Sequence, residues 1–183
     1  AELLAVDHPD VVRLATAAAL GNLEDEEEAI PVLEALAADP ETPALIGAVA
    51  RAWLQIHQHD TYRVGPVMHQ LALLASRENL YLYAAIAHHN AASAWLWGGS
   101  PKSAMDEAQL ALHNFGLAQF DEGNAASARA VVAHSAYEMG DFSRCHAELE
   151  QLHWLGSPQA DAYAEAALLH AWLGNLAAAR ASV

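Results

Sequence analysis

The sequence is poor in the residues that mark several classes of protein. Its 183 residues contain one cysteine, Cys145, which excludes an internal disulfide framework and a cysteine-based zinc cluster. It has a single lysine, Lys102, and its net charge is −15. Such an acidic chain repels phosphate groups, so we expect no direct nucleic-acid binding and no attraction to anionic membranes. Its apolar runs fall short of the roughly 18 residues that a membrane-spanning helix needs.

Alanine, leucine and glutamate are abundant, whereas β-branched residues are sparse. Alanine and unbranched side chains lose little conformational freedom in a helix, so this composition predicts an all-α protein. The length suits one domain, and we expect a single helical domain over 1–183. One free thiol is compatible with a reducing compartment, and we predict a cytoplasmic location.

Apolar periodicity and stop signals divide the chain into short helices. The run 24–28, Glu-Asp-Glu-Glu-Glu, precedes a helix that we expect to begin near Ile30, because Pro31 suits a first turn. Thr42 is the expected N-cap of the next helix, with Pro43 as its first residue, and the Ser-Pro pairs at 100–101 and 157–158 are start signals of the same kind. The predicted helices span 10–20, 30–38, 43–56, 66–77, 80–97, 101–115, a hairpin over 125–155, 159–173 and 177–183.

The turns recur at a nearly constant interval. Aligning them places five residues in register, with spacings of 38, 40, 41 and 34: Gly21, His59, Gly99, Gly140 and Gly174. A repeat of this length with one helix pair per period is typical of a helical solenoid. We therefore predict a right-handed solenoid of about five helix pairs, in units covering residues 8–38, 42–77, 80–115, 121–155 and 158–183.

The turns and the small residues around them resemble the tetratricopeptide repeat. That motif has small residues where two helices cross and a Gly-Asp/Asn-aromatic turn between them. The matching residues are Ala92, Trp95, Gly99, Ala104, Ala108 and Ala111 in the third unit, Ala133, Ala136, Gly140, Asp141, Phe142 and Cys145 in the fourth, and Ala167, Gly174, Asn175, Leu176 and Ala179 in the fifth. We expect Ala133, Ala136 and Cys145 to be packing contacts.

Periods near 40 are longer than the family's usual 34, and they look like the repeats of large maltose-regulator-like activators of the LuxR type. Those proteins place a helical sensor region between an ATP-binding module and a DNA-binding helix–turn–helix. This sequence contains neither a phosphate-binding loop nor a basic recognition helix. The resemblance implies that it is the sensor part of such a bacterial transcription regulator.

In a tetratricopeptide-like solenoid the first helices of successive pairs line a concave groove. The register predicts a ligand- or partner-binding face that is aromatic and acidic, suited to a basic peptide or a polar small molecule. Its residues are Trp53, His89, Asn90, Ser93, Trp97, His134, Tyr137, Glu138, Asp161, Glu165 and Trp172.

Eleven histidines raise the question of a metal site. The nearest groupings are His57/His59, His88/His89 and His146/His153, and none has the spacing of a zinc hydrolase motif. His89 and His134 are expected to face each other across the groove, which leaves an inter-helix site open. With no catalytic motif in the sequence, we predict no enzyme activity, no cofactor and no metal.

Three functions follow from these observations. The first is a non-catalytic module that senses a small molecule or a partner protein in its groove, with homo-oligomer formation left open. The second is a free-standing adaptor or chaperone-like repeat protein that binds a peptide there. The third, more remote, is a histidine-based metalloenzyme.

Overall fold

The structure, a computed structural model, describes residues 26–57, 64–119, 125–155 and 160–181. Every regular element in these ranges is a helix, which confirms the predicted all-α class. None of the helices described is both long and apolar enough to cross a membrane. The helices are α1 (Glu26–Ala38), α2 (Ala44–His57), α3 (Val64–Arg77), α4 (Tyr81–Trp97), α5 (Pro101–Leu117), α6 (Ala126–Glu138), α7 (Phe142–Leu155), α8 (Ala160–Trp172) and α9 (Leu176–Ala181).

Each helix packs against the next one along the chain. In addition, α4 packs against α6 and α6 packs against α8, so these contacts join helices that are not consecutive in the chain. The largest apolar cluster lies where α4 to α8 meet, and its most deeply buried members are mainly alanines. Small side chains allow the helix backbones to approach closely, which draws the side-by-side helices α4, α6 and α8 together.

Three glycine turns have the same backbone geometry. The φ angles are 75° at Gly99, 76° at Gly140 and 78° at Gly174. This left-handed conformation is energetically unfavourable for any residue that has a β-carbon. After each glycine, the next amide donates to a carbonyl in the last turn of the helix, as Asp141 N does to Ala136 O at 2.8 Å. This is the hydrogen-bond pattern of a helix C-cap. The repeated turn chemistry predicted from the sequence is thus present as repeated geometry.

The residue that follows two of these glycines caps the next helix. Asp141 Oδ1 accepts a hydrogen bond from Arg144 N at 3.1 Å, and Asn175 Oδ1 accepts one from Ala178 N at 3.2 Å. Each donor is the third amide of its helix, which has no carbonyl partner within the helix. A short side chain with an acceptor oxygen therefore belongs at this place in the turn.

Two predicted helix starts come too late in the sequence. Helix α1 begins at Glu26 rather than near Ile30, and Pro31 lies inside it. Pro31 is on the exposed side of the helix, so the carbonyl that loses its donor can be hydrated. Helix α3 begins at Val64 rather than Pro66, because a proline in the first turn has no intrahelical bond to lose.

The expected cap at Thr42 is wrong. Helix α2 begins at Ala44, and Pro43 precedes it, with Pro43 O accepting a hydrogen bond from Gly47 N at 3.0 Å. Thr42 Oγ1 is buried and has no hydrogen-bond partner among the residues described. At Ser100 the predicted position is right and Pro101 opens α5, but the serine side chain makes no capping hydrogen bond.

The central hairpin agrees with the sequence. Helices α6 and α7 flank the turn at Gly140, and the predicted packing residues Ala133, Ala136 and Cys145 are fully buried. The predicted helix 10–20, the turn at Gly21, the residue His59 and the start signal at 157–158 lie outside the described residues.

Candidate functional site

An open pocket of about 440 Å³ lies between helices α3, α4, α6 and α8. Its walls combine apolar side chains, among them Val64, Met68 and Val131, with polar ones. Six of the residues predicted for the concave groove line it: His89, Asn90, Ser93 and Trp97 from α4, His134 from α6 and Glu165 from α8. The helix register read from the sequence therefore brought together residues that share one pocket. Their binding of a ligand remains a prediction.

Histidine and carboxylate groups meet on one side of this pocket. The imidazole Nδ1 of His134 is in direct contact with Glu165 Oε1, and its Nε2 lies 3.6 Å from Glu138 Oε1, one helical turn further on. The hydrogen bond with Glu165 raises the pKa of His134, against the opposing effect of burial. The contact joins α6 to α8, so the protonated imidazole offsets the charge of a carboxylate at the pocket wall.

An aromatic surface continues from His134 along the end of α6. The ring of Trp172 meets that of His134 edge-on, with centroids 5.6 Å apart, and lies 5.4 Å from the ring of Tyr137. Tyr137 also packs edge-on against Phe142 at 5.7 Å. Trp97 and Trp172 are 66% and 46% exposed, so both present apolar surface to solvent. Large exposed rings next to a polar pocket are typical of binding sites.

One of the predicted residues, Trp53, does not join this site. Trp53 packs against the cluster formed by Leu33, Leu36, Ile46 and Ala50, at the junction of α1 and α2. The helix register predicts Trp53 for the groove, but the residue packs against this separate cluster instead. Asp161 lies on α8, and its side chain is outside the described residues.

A second polar cluster, which the sequence reasoning missed, is buried where α3, α4 and α5 pack together. His88 donates from Nδ1 to Glu107 Oε2 at 2.7 Å, and His69 Nδ1 lies 2.7 Å from Glu107 Oε1. The spacing in the sequence could have revealed this cluster, because His69, His88 and Glu107 follow one another at intervals of 19 residues. Half of the repeat period carries the chain from the middle of one helix to the middle of the next. Arg129 and Glu148, which form an ion pair at 2.8 Å, have the same separation.

The single thiol of the chain is part of the core. Cys145 is fully buried, and burial, with a smaller contribution from the charge of Asp141, raises its pKa to about 11. The group therefore stays a protonated thiol at neutral pH, and it packs as a small apolar side chain.

Comparisons of the sequence with protein families and with curated proteins give no indication of its function. No protein-family model matches the chain, and no curated protein is significantly similar to it in sequence.

Proposed function

We propose that this chain is a non-catalytic binding module of the right-handed, tetratricopeptide-like solenoid type, and that it binds a cationic, partly apolar ligand in the pocket between α4, α6 and α8. The observation that carries the proposal is the convergence of six groove residues, from three helices of different pairs, on one pocket. The packing of α4 on α6 and of α6 on α8 supports the solenoid, because it sets the first helices of successive pairs side by side.

The charges around the pocket favour a cation. Glu165 lines it and Glu138 stands exposed beside it, so two carboxylates share the single imidazole of His134, and the chain as a whole carries a net charge of −15. Such a field raises the local concentration of cations and speeds their association. The exposed ring of Trp97 offers an electron-rich face, and a cation over such a face gains about 0.5–2 kcal/mol. The apolar wall formed by Val64, Met68 and Val131 suits a hydrocarbon part of the same ligand.

The charge preference is testable with two peptides that differ only in sign. One is an amphipathic peptide of alternating leucine and lysine, and the other has glutamate in place of every lysine. We expect the lysine peptide to change the tryptophan fluorescence of the chain in a saturable way, and the glutamate peptide to leave it unchanged. Equal binding of both peptides, or binding of neither, would contradict the proposed ligand class.

The site is testable with matched aromatic variants. Trp97→Ala combined with Tyr137→Ala is expected to weaken binding of the lysine peptide by about tenfold or more, since each ring contact contributes about 1 kcal/mol. Tyr83→Ala is the control, because Tyr83 lies on the same helix as Trp97 with almost the same exposure, 65% against 66%, and is not among the pocket residues. Trp97 is exposed, whereas Tyr137 packs partly against the core. If the double variant unfolds, these rings belong to the core and this assignment of the groove is wrong.

A sensor and an adaptor would both use this pocket. The coding sequence on either side of this chain would distinguish them. We propose the sensor region of a bacterial transcription regulator, on the strength of the repeat resemblance. An ATP-binding module encoded upstream and a DNA-binding helix–turn–helix downstream would support it. A reading frame without either would favour the peptide-binding adaptor.

A further inference from the structure

The cluster of His69, His88 and Glu107 has the composition and placement of a metal centre. The three side chains come from three consecutive helices, α3, α4 and α5, and one ligand atom from each lies within 4.8 Å of the others. Glu107 is 8% exposed and His88 is 2% exposed. A carboxylate at this depth is costly unless charge and hydrogen bonds compensate it, and two imidazoles face its two oxygens.

One of the two imidazole contacts leaves a polar atom unused. His69 Nδ1 is buried and, although it lies 2.7 Å from Glu107 Oε1, it lacks hydrogen-bond geometry and has no other partner among the described residues. With the ring proton on Nε2, the electron pair of Nδ1 is available to an electron-pair acceptor lying between the imidazoles and the carboxylate. We propose that His69, His88 and Glu107 bind one divalent transition-metal ion of the zinc class.

The donor set selects this class of ion. Two imidazole nitrogens and one carboxylate oxygen suit zinc and its neighbours in the first transition series, whereas calcium and magnesium prefer oxygen ligands alone. Each imidazole would bind through Nδ1 as a neutral ring with its proton on Nε2, so the ion would take the place of the Nδ1 proton by which His88 contacts Glu107. A tetrahedral ion with bonds of about 2.0–2.1 Å holds its donors roughly 3.3 Å apart. The two nitrogen–oxygen distances of 2.7 Å involve different oxygens of Glu107, so the distance to the oxygen that binds the ion needs to open by about 0.6 Å.

The site has a buried side and an open one. The side chain of His88 is 3% exposed and that of His69 is 34% exposed, so an ion enters past His69. Three protein ligands leave a fourth position for water on that side, which is the arrangement of open zinc sites. This centre does not depend on the proposed ligand pocket. Met68 and His89 line that pocket, whereas their chain neighbours His69 and His88 point about 100° away around their helices.

The test uses the whole chain, freed of metal with a chelator and then titrated with Zn²⁺ by calorimetry. We expect one Zn²⁺ per chain and a rise in the melting temperature, because an ion bound only by the folded state stabilises it. His69→Ala and Glu107→Gln should each weaken binding by about 100-fold or more, since even loss of an outer-shell partner costs about 10–100-fold. His113→Ala is the matched control, since His113 is exposed on the same helix as Glu107.

A measurement on the unaltered chain keeps the test independent of the folding of any variant. X-ray absorption of the 1:1 zinc complex should record only nitrogen and oxygen ligands, with the multiple scattering of two imidazoles. Absence of a 1:1 complex, a sulfur ligand, or equal loss of binding in His113→Ala would each overturn the proposal. So would wild-type affinity in His69→Ala, which would leave the cluster as a hydrogen-bonded triad only.

Discussion

His134 on α6 and Glu165 on α8 join two helices that are not consecutive in the chain, through direct contact of Nδ1 with Oε1. The contact raises the pKa of His134 above its ordinary value of 6.5. A group whose pKa is higher in the folded state stabilises the fold fully at pH values below its unfolded pKa. That contribution is lost as the pH rises through the folded-state pKa.

Replacing Glu165 with glutamine should therefore destabilise the protein mainly at low pH. Because a hydrogen bond to a charged group contributes about 1.5–3 kcal/mol, we expect Glu165→Gln to lose about 1–2 kcal/mol more at a pH of about 6 than at a pH of about 9. Urea denaturation at both pH values measures this difference, and NMR titration should give His134 a lower pKa in the variant. The control Glu150→Gln, an exposed carboxylate on α7, should change the free energy of unfolding equally at both pH values. A flat difference for Glu165→Gln would contradict the assignment.

Gly65 and Gly116 should respond to alanine with opposite signs. A β-carbon on Gly65 would lie 2.9 Å from Cε2 of Trp95, a ring held in the core, whereas at Gly116 nothing lies within 4 Å. We expect Gly65→Ala to destabilise the fold by about 1–3 kcal/mol through overpacking. Gly116→Ala should stabilise it by about 0.4–1 kcal/mol, because alanine restricts the unfolded chain. Thermal and urea unfolding measure both, and a neutral Gly65→Ala would show that Trp95 has room to move.

Asp141 should contribute to stability as a helix cap. Its Oδ1 accepts from Arg144 N, so Asp141→Ala is expected to reduce the free energy of unfolding by about 1 kcal/mol. Asp141→Asn keeps an acceptor oxygen and should lose much less. The same pair of changes can be made at Asn175, where Asn175→Asp should retain the cap on α9. Equal losses in Asp141→Ala and Asp141→Asn would show that charge, rather than the hydrogen bond, is responsible.

Cys145 should be unreactive in the folded chain. It is fully buried, and its pKa is raised to about 11, so the thiolate that attacks disulfide reagents is scarce at a pH of about 8. We expect very slow labelling by an aromatic disulfide reagent in buffer and prompt labelling of one thiol per chain in concentrated urea. The labelling rate in buffer then reports the opening of α7 from the core. Rapid labelling of the folded chain would contradict the burial of Cys145.

The sequence by itself determined most of the local structure of the described residues. Alanine and leucine at helical spacing predicted the helices, and glycine followed by aspartate or asparagine predicted turns at Gly140 and Gly174 that have the expected geometry. These features depend on residues close in the chain, so periodicity and turn chemistry reveal them. The register also placed His89, Trp97 and His134 on helices that share one pocket. Where the sequence misjudged a helix start, as at Pro31, the outcome depended on which side of the helix faces solvent.

Only the tertiary structure decided which long-range partners each side chain meets. Trp53 and Ser93 have the same place in the repeat pattern, six residues before His59 and Gly99, but Trp53 packs against a separate core and Ser93 lines the pocket. His69, His88 and Glu107 belong to no local motif and meet because three helices pack at one level. A one-dimensional pattern gives the face on which a residue lies. It does not give the height and rotation of neighbouring helices, which result from the packing of all their side chains together.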